Sequence, residues 1–202
     1  VRVAIIDEVL VTASVDTTLQ FEVSGVSSGA TVNTSPTTTT AASTNTTLPF
    51  GTLSADTSKT LAHDLTVVTN AANGYTVTVS LSGDLESSTG AIIDSFIDGA
   101  DTSTPAAWVG PSADISDVKT WGHWGITSDD TSAGRASEFG ADQWAGIATT
   151  SPVIVMGHTG VTDGTALGNG ANRIGYQIET SALQEAGTDY NTTLRYIATP
   201  TF

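Results

Sequence analysis

The residues of this chain that could support acid–base, metal or nucleophilic chemistry are few and scattered. There is no cysteine, and the three histidines, His63, His123 and His158, share no metal-ligand spacing. His123 and His158 each follow a glycine in a turn-like segment, so a shared site is conceivable, although packing or capping is the commoner role. The sequence contains no nucleophile elbow, zinc-protease helix motif or phosphate-binding glycine loop. We therefore expect a protein that is not an enzyme.

Carboxylates are the most abundant ionisable groups, and they suggest two kinds of site. A pair of them could catalyse glycoside hydrolysis, but nothing in the sequence pairs Glu138, Glu179 or Glu185. Loop aspartates could instead bind calcium, which takes several oxygen ligands. The weak candidates are Asp94, Asp98, Asp101, Asp129 and Asp130. None has EF-hand spacing, so we expect solvated carboxylates and no cofactor, with calcium as the alternative.

The four tryptophans all lie between residues 83 and 151. Exposed tryptophans stack on sugar rings, which makes Trp108, Trp121 and Trp124 a candidate platform for cell-surface glycans. Buried tryptophans instead fill a core, and this is the role that we favour for all four, including Trp144.

Three asparagines, Asn33, Asn45 and Asn191, lie in Asn-x-Ser/Thr triplets. These are candidate glycosylation sites, although a threonine-rich chain produces such triplets by chance.

Composition narrows the class of partner and the compartment. The chain has 21 acidic and 6 basic residues, a formal net charge of −15, so nucleic acid and anionic membranes would be repelled. It begins with valine, which leads us to expect that a signal peptide has been removed and that the protein is extracellular or on the cell surface. No apolar run approaches the roughly 18 residues of a membrane span.

The first 23 residues alternate between apolar and polar side chains, as half-buried strands do, except at Ile6 and Leu10, which could mark a strand covered on both sides. We expect one or two strands, with a break near residues 16–18. The apolar residues at odd positions are Val1, Val3, Ile5, Val9, Val11, Ala13, Val15, Leu19, Phe21 and Val23.

Residues 27–47 form a threonine- and serine-rich segment that has two interpretations. It could be a mucin-like linker. The alternative, which we favour, is an edge strand with hydroxyls on its surface, because threonine is β-branched.

The residue patterns in the rest of the chain also predict mainly strands. Residues 64–81 predict a β-hairpin around Asn73-Gly74, residues 152–156 a core strand, and residues 173–180 and 189–198 the two closing strands. Residues 83–151 predict a long loop-rich insertion, in which residues 91–97 favour a short helix. The fold class is therefore an all-β sandwich or jelly roll, with residues 16–202 as one domain.

Two segments resemble known secreted proteins. The ending AGTDYNTTLRYIATPTF is similar to the final strand of bacterial surface, pilin-like and spore-coat-like β-sandwiches, and TNAANGYTVTVS is similar to repeats in secreted bacterial surface proteins. The resemblance implies a cell-surface location and a sandwich architecture, and it carries over no catalytic residue.

The alternating start of the chain also resembles the donated strand of bacterial or archaeal fibre subunits, in which a neighbour's segment completes the sandwich. Fifteen extended residues reach about 50 Å. The resemblance implies a subunit interface at Val1, Val3, Ile5, Val9, Val11 and Ala13. The alternative is that residues 1–15 form the first strand of a self-contained sandwich.

We therefore expect a self-assembling subunit of an extracellular, pilus-like filament or a surface layer, whose partners are copies of itself. The alternative is a carbohydrate-binding adhesin module of the cell surface. Electron microscopy and loss of sugar binding on Trp121→Ala or Trp124→Ala would separate the two.

Overall fold

The computed structural model describes residues 10–34, 36–130, 139–149 and 151–202. Within these residues the chain forms twelve β-strands, one 3-10 turn at Val118–Thr120 and no α-helix. The strands are β1 Leu19–Gly25, β2 Lys59–Thr69, β3 Tyr75–Leu81, β4 Leu85–Glu86, β5 Ile92–Ser95, β6 Ala106–Ala107, β7 Gly122–Ser128, β8 Gln143–Trp144, β9 Val153–His158, β10 Ala166–Leu167, β11 Gly170–Thr180 and β12 Leu194–Pro200.

Two sheets of unequal size form a β-sandwich, as the sequence predicts. The large sheet has seven strands in the order β1-β2-β11-β7-β5-β4, with β10 beside β11. The small sheet has three, in the order β12-β3-β9. A two-stranded ribbon, β6-β8, is linked to the large sheet by a bridge between Ala145, just after β8, and Ile126 of β7. All strand pairs are antiparallel except β5–β7 and β10–β11.

The main core lies between the two sheets. In β3, the residues Tyr75, Val77, Val79 and Leu81 are buried, whereas the alternate residues are exposed or half-buried. This is the period-2 pattern of a strand with one face on a core. In β11, the predicted apolar face of Ile174, Tyr176 and Ile178 is buried, so this element is confirmed. The core strand predicted at residues 152–156 is β9.

A second apolar cluster covers the outer face of the large sheet. It contains Val26, Val32, Ala62, Phe96 and Trp144. Because both faces of the sheet are covered, β7 is buried at every position and shows no alternation.

The threonine-rich segment forms part of this outer cover, so both interpretations of residues 27–47 are wrong. Among its described residues, strand pairing is limited to one isolated bridge between Thr31 and Thr38. Its backbone is held by turns and hydroxyls, such as the Ser43 Oγ that donates to the carbonyl of Ala62. The segment packs against the sheet surface through buried Val32, beside Val26, which directly precedes it, instead of extending the sheet edge.

The hairpin predicted at residues 64–81 is also wrong, although both of its strands exist. β2 pairs with β1 and β11, whereas β3 pairs with β12 and β9, so the connection crosses from one sheet to the other. Gly74 allows this crossing because its φ is +80° and a Cβ there would overlap the carbonyl oxygen of His158. Apolar residues on the facing sides of both strands close the core between sheets.

The middle of the chain differs from the prediction in two ways. The short helix favoured at residues 91–97 is a strand, β5, which pairs in parallel with β7. The region 83–151 also supplies β7, a central strand of the large sheet, so one continuous insertion does not describe it.

Only the second part of the predicted N-terminal strand region is a strand in the described residues. β1 begins at Leu19, and residues 10–18 form no strand. The predicted interface residues Val1, Val3, Ile5 and Val9 lie outside the described residues.

Candidate assembly surface

One side of the sandwich is bounded by β1 of the large sheet and β12 of the small sheet, and we call it the open side. Each of these strands has a single neighbour: β1 pairs with β2, and β12 pairs with β3. Their outer edges have no strand partner among the described residues. Unpaired edges are the positions at which a further strand can add.

The hydrogen-bond pattern shows which groups of β12 point outwards. Ser82 N donates to the carbonyl of Thr193, and Thr201 N donates to that of Gly74, so odd-numbered residues face β3. In an antiparallel pair the alternate residues face away. The backbone N–H and C=O groups that point away from β3 therefore belong to Leu194, Tyr196, Ala198 and Pro200. Proline has no N–H to lose at such a position, which explains why β12 tolerates one.

Tyr196 anchors β12 to the large sheet. Its hydroxyl lies 2.5 Å from the hydroxyl of Tyr176 and 3.0 Å from Nδ1 of His63, and its ring contacts Phe21 edge-on at 6.4 Å. Burial raises the pKa of both tyrosines. Burial also lowers the pKa of His63, and it outweighs the opposing effect of nearby backbone groups. The two tyrosine hydroxyls and the His63 ring are therefore neutral near pH 7, since burial disfavours the charged form of each group.

A cleft of about 1130 Å³ opens beside the first half of β12. Its floor includes Trp124 and Ile178 from the inner face of the large sheet. Its walls come from residues 45–55 and from the segment that leads into β12. The apolar side chains here are only partly buried: Leu48, Phe50, Leu53, Leu85, Tyr190, Leu194 and Tyr196. The core is thus incompletely covered at this place.

The N-terminal segment leaves the fold at the other end of the sandwich. Asn70 holds it by accepting from Thr18 N and donating to the carbonyl of Asp16. Beyond that point Leu10, Val11 and Val15 are 86, 85 and 86% exposed. Ala13, also predicted as an interface residue, is exposed as well.

The three tryptophans of the candidate glycan platform do not share one surface. Trp108 lies on the outer face of the large sheet, where Phe96 stacks on its ring at 4.7 Å and Glu179 accepts its indole N–H. Trp124 is 4% exposed and faces the main core. Trp121 is half-buried and donates to the carbonyl of Asp114.

The aspartates proposed as calcium ligands have other contacts. Asp98 Oδ1 lies 3.0 Å from Nδ1 of His123, and the backbone N–H of Asp98 donates to the same nitrogen. Asp129 accepts from the backbone N–H of Asn33, and Asp130 from that of Gly157. No cluster of three or more potential metal-ligating side chains occurs in the part of the chain that the structure describes. Asp94 and Asp101 lie near each other, and burial raises the pKa of Asp94 to about 6.

The candidate glycosylation sites differ in access. Asn33 is buried, and its amide donates to Thr127 and to the carbonyl of Gly140, so a glycan could not be attached to the folded protein there. Asn45 and Asn191 are exposed.

The histidines that a shared site would require are in separate places. His123 is buried in β7, and its Nε2 contacts the carbonyl of Val109. His158 ends β9 in the small sheet.

No protein-family model matches the chain, and no curated protein is significantly similar to it. Within the described ranges, no helix is long and apolar enough to cross a membrane. Function must therefore be inferred from the geometry of the chain itself.

Sequence reasoning did not identify the outer edge of β12 or the tyrosine–histidine chain that anchors it. One signal was present. Pro200 at the end of an alternating strand indicates an edge strand, since a central strand needs every N–H.

Proposed function

We propose that this protein is a structural subunit of an extracellular filament or surface layer that assembles through its N-terminal segment. The observation that carries the proposal is the exposure of Leu10, Val11 and Val15 in a segment that leads directly into an edge strand. Exposed apolar side chains in an alternating segment are unfavourable in water and favour strand addition to a partner. The partner is another copy of the chain, and the role is non-enzymatic.

Composition supports the same role outside the cell. Charged residues make up 13% of the chain, and hydroxyl and amide side chains cover much of the surface. The strong acidity keeps unassembled subunits soluble and disfavours nucleic acid. The glycan-binding alternative has less support, because Trp124 is buried in the main core and the half-buried Trp108 is stacked on Phe96.

The proposal is tested with the full chain by negative-stain electron microscopy and light scattering. Charged side chains at the apolar positions, in the double variant Val11→Asp/Val15→Asp, should abolish polymers. The matched control Thr12→Asp/Ser14→Asp adds the same charge at neighbouring polar positions and should still polymerise. Both variants should keep the wild-type circular dichroism spectrum, because all four residues are exposed in the single chain.

A wild-type protein that remains monomeric over a wide concentration range would overturn the proposal. Equal polymerisation of the two double variants would also overturn it, because the apolar face would then have no role in assembly.

A further inference from the structure

We propose that the outer edge of β12, together with the cleft beside it, is the acceptor site for the N-terminal segment of a second copy. This inference rests on the proposed function and identifies the surface at which the strand adds. The occupant is the alternating segment within residues 3–15, added to the small sheet as a fourth strand.

Three long edges compete for an added strand, and β12 is the most suitable. The β9 edge is irregular, because the β3–β9 register shifts between Val77 and Thr78. Bulges are a means by which proteins protect edges. The β1 edge carries the charged Glu22 on its solvent face, and β12 likewise carries Arg195, so charge does not separate these two edges. Both β1 and β12 pair with their neighbours in seven consecutive positions without a shift. What distinguishes β12 is the cleft of about 1130 Å³ that opens beside it.

The backbone groups of β12 that face outwards provide a ladder for the new strand. The amides of Leu194, Tyr196 and Ala198 and the carbonyls of these residues and Pro200 point away from β3. No described residue supplies a partner for them. A strand that adds here lies about 4.8 Å beyond β12.

The side chains around this edge form an apolar groove that lacks a cover. On the large sheet, Phe21 and Val23 of β1 are only half-buried although they pack against the core. On β12, Leu194, Tyr196 and Ala198 are likewise half-buried. The adjoining cleft of about 1130 Å³ exceeds the usual size of small-molecule pockets, and it suits a peptide segment.

The N-terminal segment matches this groove in length and pattern. Seven residues of strand span about 23 Å, the length of β12, and fifteen extended residues reach about 50 Å. With its odd positions turned to the core, the segment would place Val9, Val11, Ala13 and Val15 on the groove, and Leu10, Thr12 and Ser14 towards solvent.

In this structure the same chain's N-terminal segment does not cover the groove, since residues 10–15 are exposed, so the strand that we propose comes from a second copy. Asn70 fixes residues 16–18 at the end of the sandwich where β3 begins, and residues 10–15 are exposed from there on. The cleft lies at the opposite end, beside Leu194.

The first test uses proline to block the edge of β12. Ala198→Pro removes an outward N–H and leaves the ladder with β3 intact, so the variant should keep the wild-type melting temperature within a few degrees and lose polymers. The matched control Thr199→Pro removes an N–H that faces β3, so its melting temperature should fall much further. An Ala198→Pro protein that folds and polymerises like the wild type would overturn the acceptor site.

The second test uses disulfides and does not depend on how well the proline variant folds. Because the chain has no cysteine, bonds form only at introduced positions. Proteins carrying Val9→Cys, Val11→Cys or Ala13→Cys are each mixed with a size-tagged Ala198→Cys protein and oxidised. The control mixes each donor with a Thr159→Cys protein, because Thr159 directly follows β9, the other edge strand of the small sheet. At least one of the three donors should give at least tenfold more mixed dimer with Ala198→Cys than with this control.

The outcomes separate this inference from the proposed function. If polymers form but none of the mixtures exceeds the control, the proposed function stands and the acceptor site is wrong. If the wild type forms no polymers, yet a mixture crosslinks selectively, the acceptor site stands and the filament is wrong. An efficient bond within one chain carrying both Val11→Cys and Ala198→Cys would show self-insertion and would overturn the second copy as donor.

Discussion

The anchor of β12 gives the sharpest quantitative prediction, because one hydroxyl has two buried partners. In Tyr196→Phe, the hydroxyl of Tyr176 and Nδ1 of His63 both lose their hydrogen-bond partner. Tyr176 is 0% exposed and His63 is 4% exposed, so water cannot easily replace the lost contacts. Each orphaned buried group costs about 1–3 kcal/mol. We expect a loss of about 2–4 kcal/mol in the free energy of unfolding, or about 5–15 °C in Tm.

Urea unfolding followed by tryptophan fluorescence measures this loss. The matched control is Tyr190→Phe, whose half-buried hydroxyl donates to the carbonyl of Glu185 and accepts from Gln184 Nε2. Because Gln184 keeps its bond to the carbonyl of Ile92 and the Glu185 carbonyl can turn to water, this change should cost less than about 1 kcal/mol. The double variant Tyr176→Phe/Tyr196→Phe orphans fewer groups than the single changes suggest, so its cost should be below their sum. Strict additivity, or a Tyr196→Phe cost no larger than that of the control, would refute the reasoning.

Two further predictions concern the outer face of the large sheet and its neighbourhood. Trp108→Ala should lower the free energy of unfolding by about 2–4 kcal/mol, because it removes a ring packed on Phe96. The control Trp121→Ala should lower it by less than about 1 kcal/mol. Equal losses of the two variants in urea titrations would contradict the packing role of Trp108. Burial raises the pKa of Asp94 from 3.8 to about 6, so the folded state holds this proton more tightly than the unfolded chain and loses stability as pH rises from about 4 to 6. After allowance for solvent screening, Asp94→Asn should therefore stabilise the protein by about 1 kcal/mol at pH 7 and by little at pH 3.5; thermal melts at both pH values check this, and a variant that is less stable than the wild type at pH 7 would contradict it.

The sequence predicts the fold class and several strands because alternation records which face of a strand is buried. It does so for residues 75–81 and for Ile174, Tyr176 and Ile178. The alternation does not record which strand is the neighbour. A turn at Asn73-Gly74 is compatible both with a hairpin and with a connection between two sheets. Only the pairing of β3 with β9 and β12 decides between these two topologies.

Other elements escaped prediction because their structure depends on tertiary contacts. Residues 91–97 are too short for periodicity to separate a helix from a strand, and pairing with β7 makes part of them a strand. The threonine-rich segment has strand propensity, yet it is held as turns over the outer face of the sheet.

Of the two parts of the candidate assembly site, the sequence predicts the donor segment but not the acceptor edge. The alternating donor segment is visible in the sequence, since Val11 and Val15 follow a period of two. Its acceptor is not, because the open edge of β12 results from a small sheet with three strands facing a large one with seven.

Cryo-electron microscopy of the purified full-length protein tests the central claim most directly. Polymers should form, and beside Leu194 and Ala198 their reconstruction should contain a strand from the neighbouring subunit's N-terminal segment. Isolated particles in which the edge of β12 is bare, or is covered by residues of the same chain, would contradict assembly by strand addition.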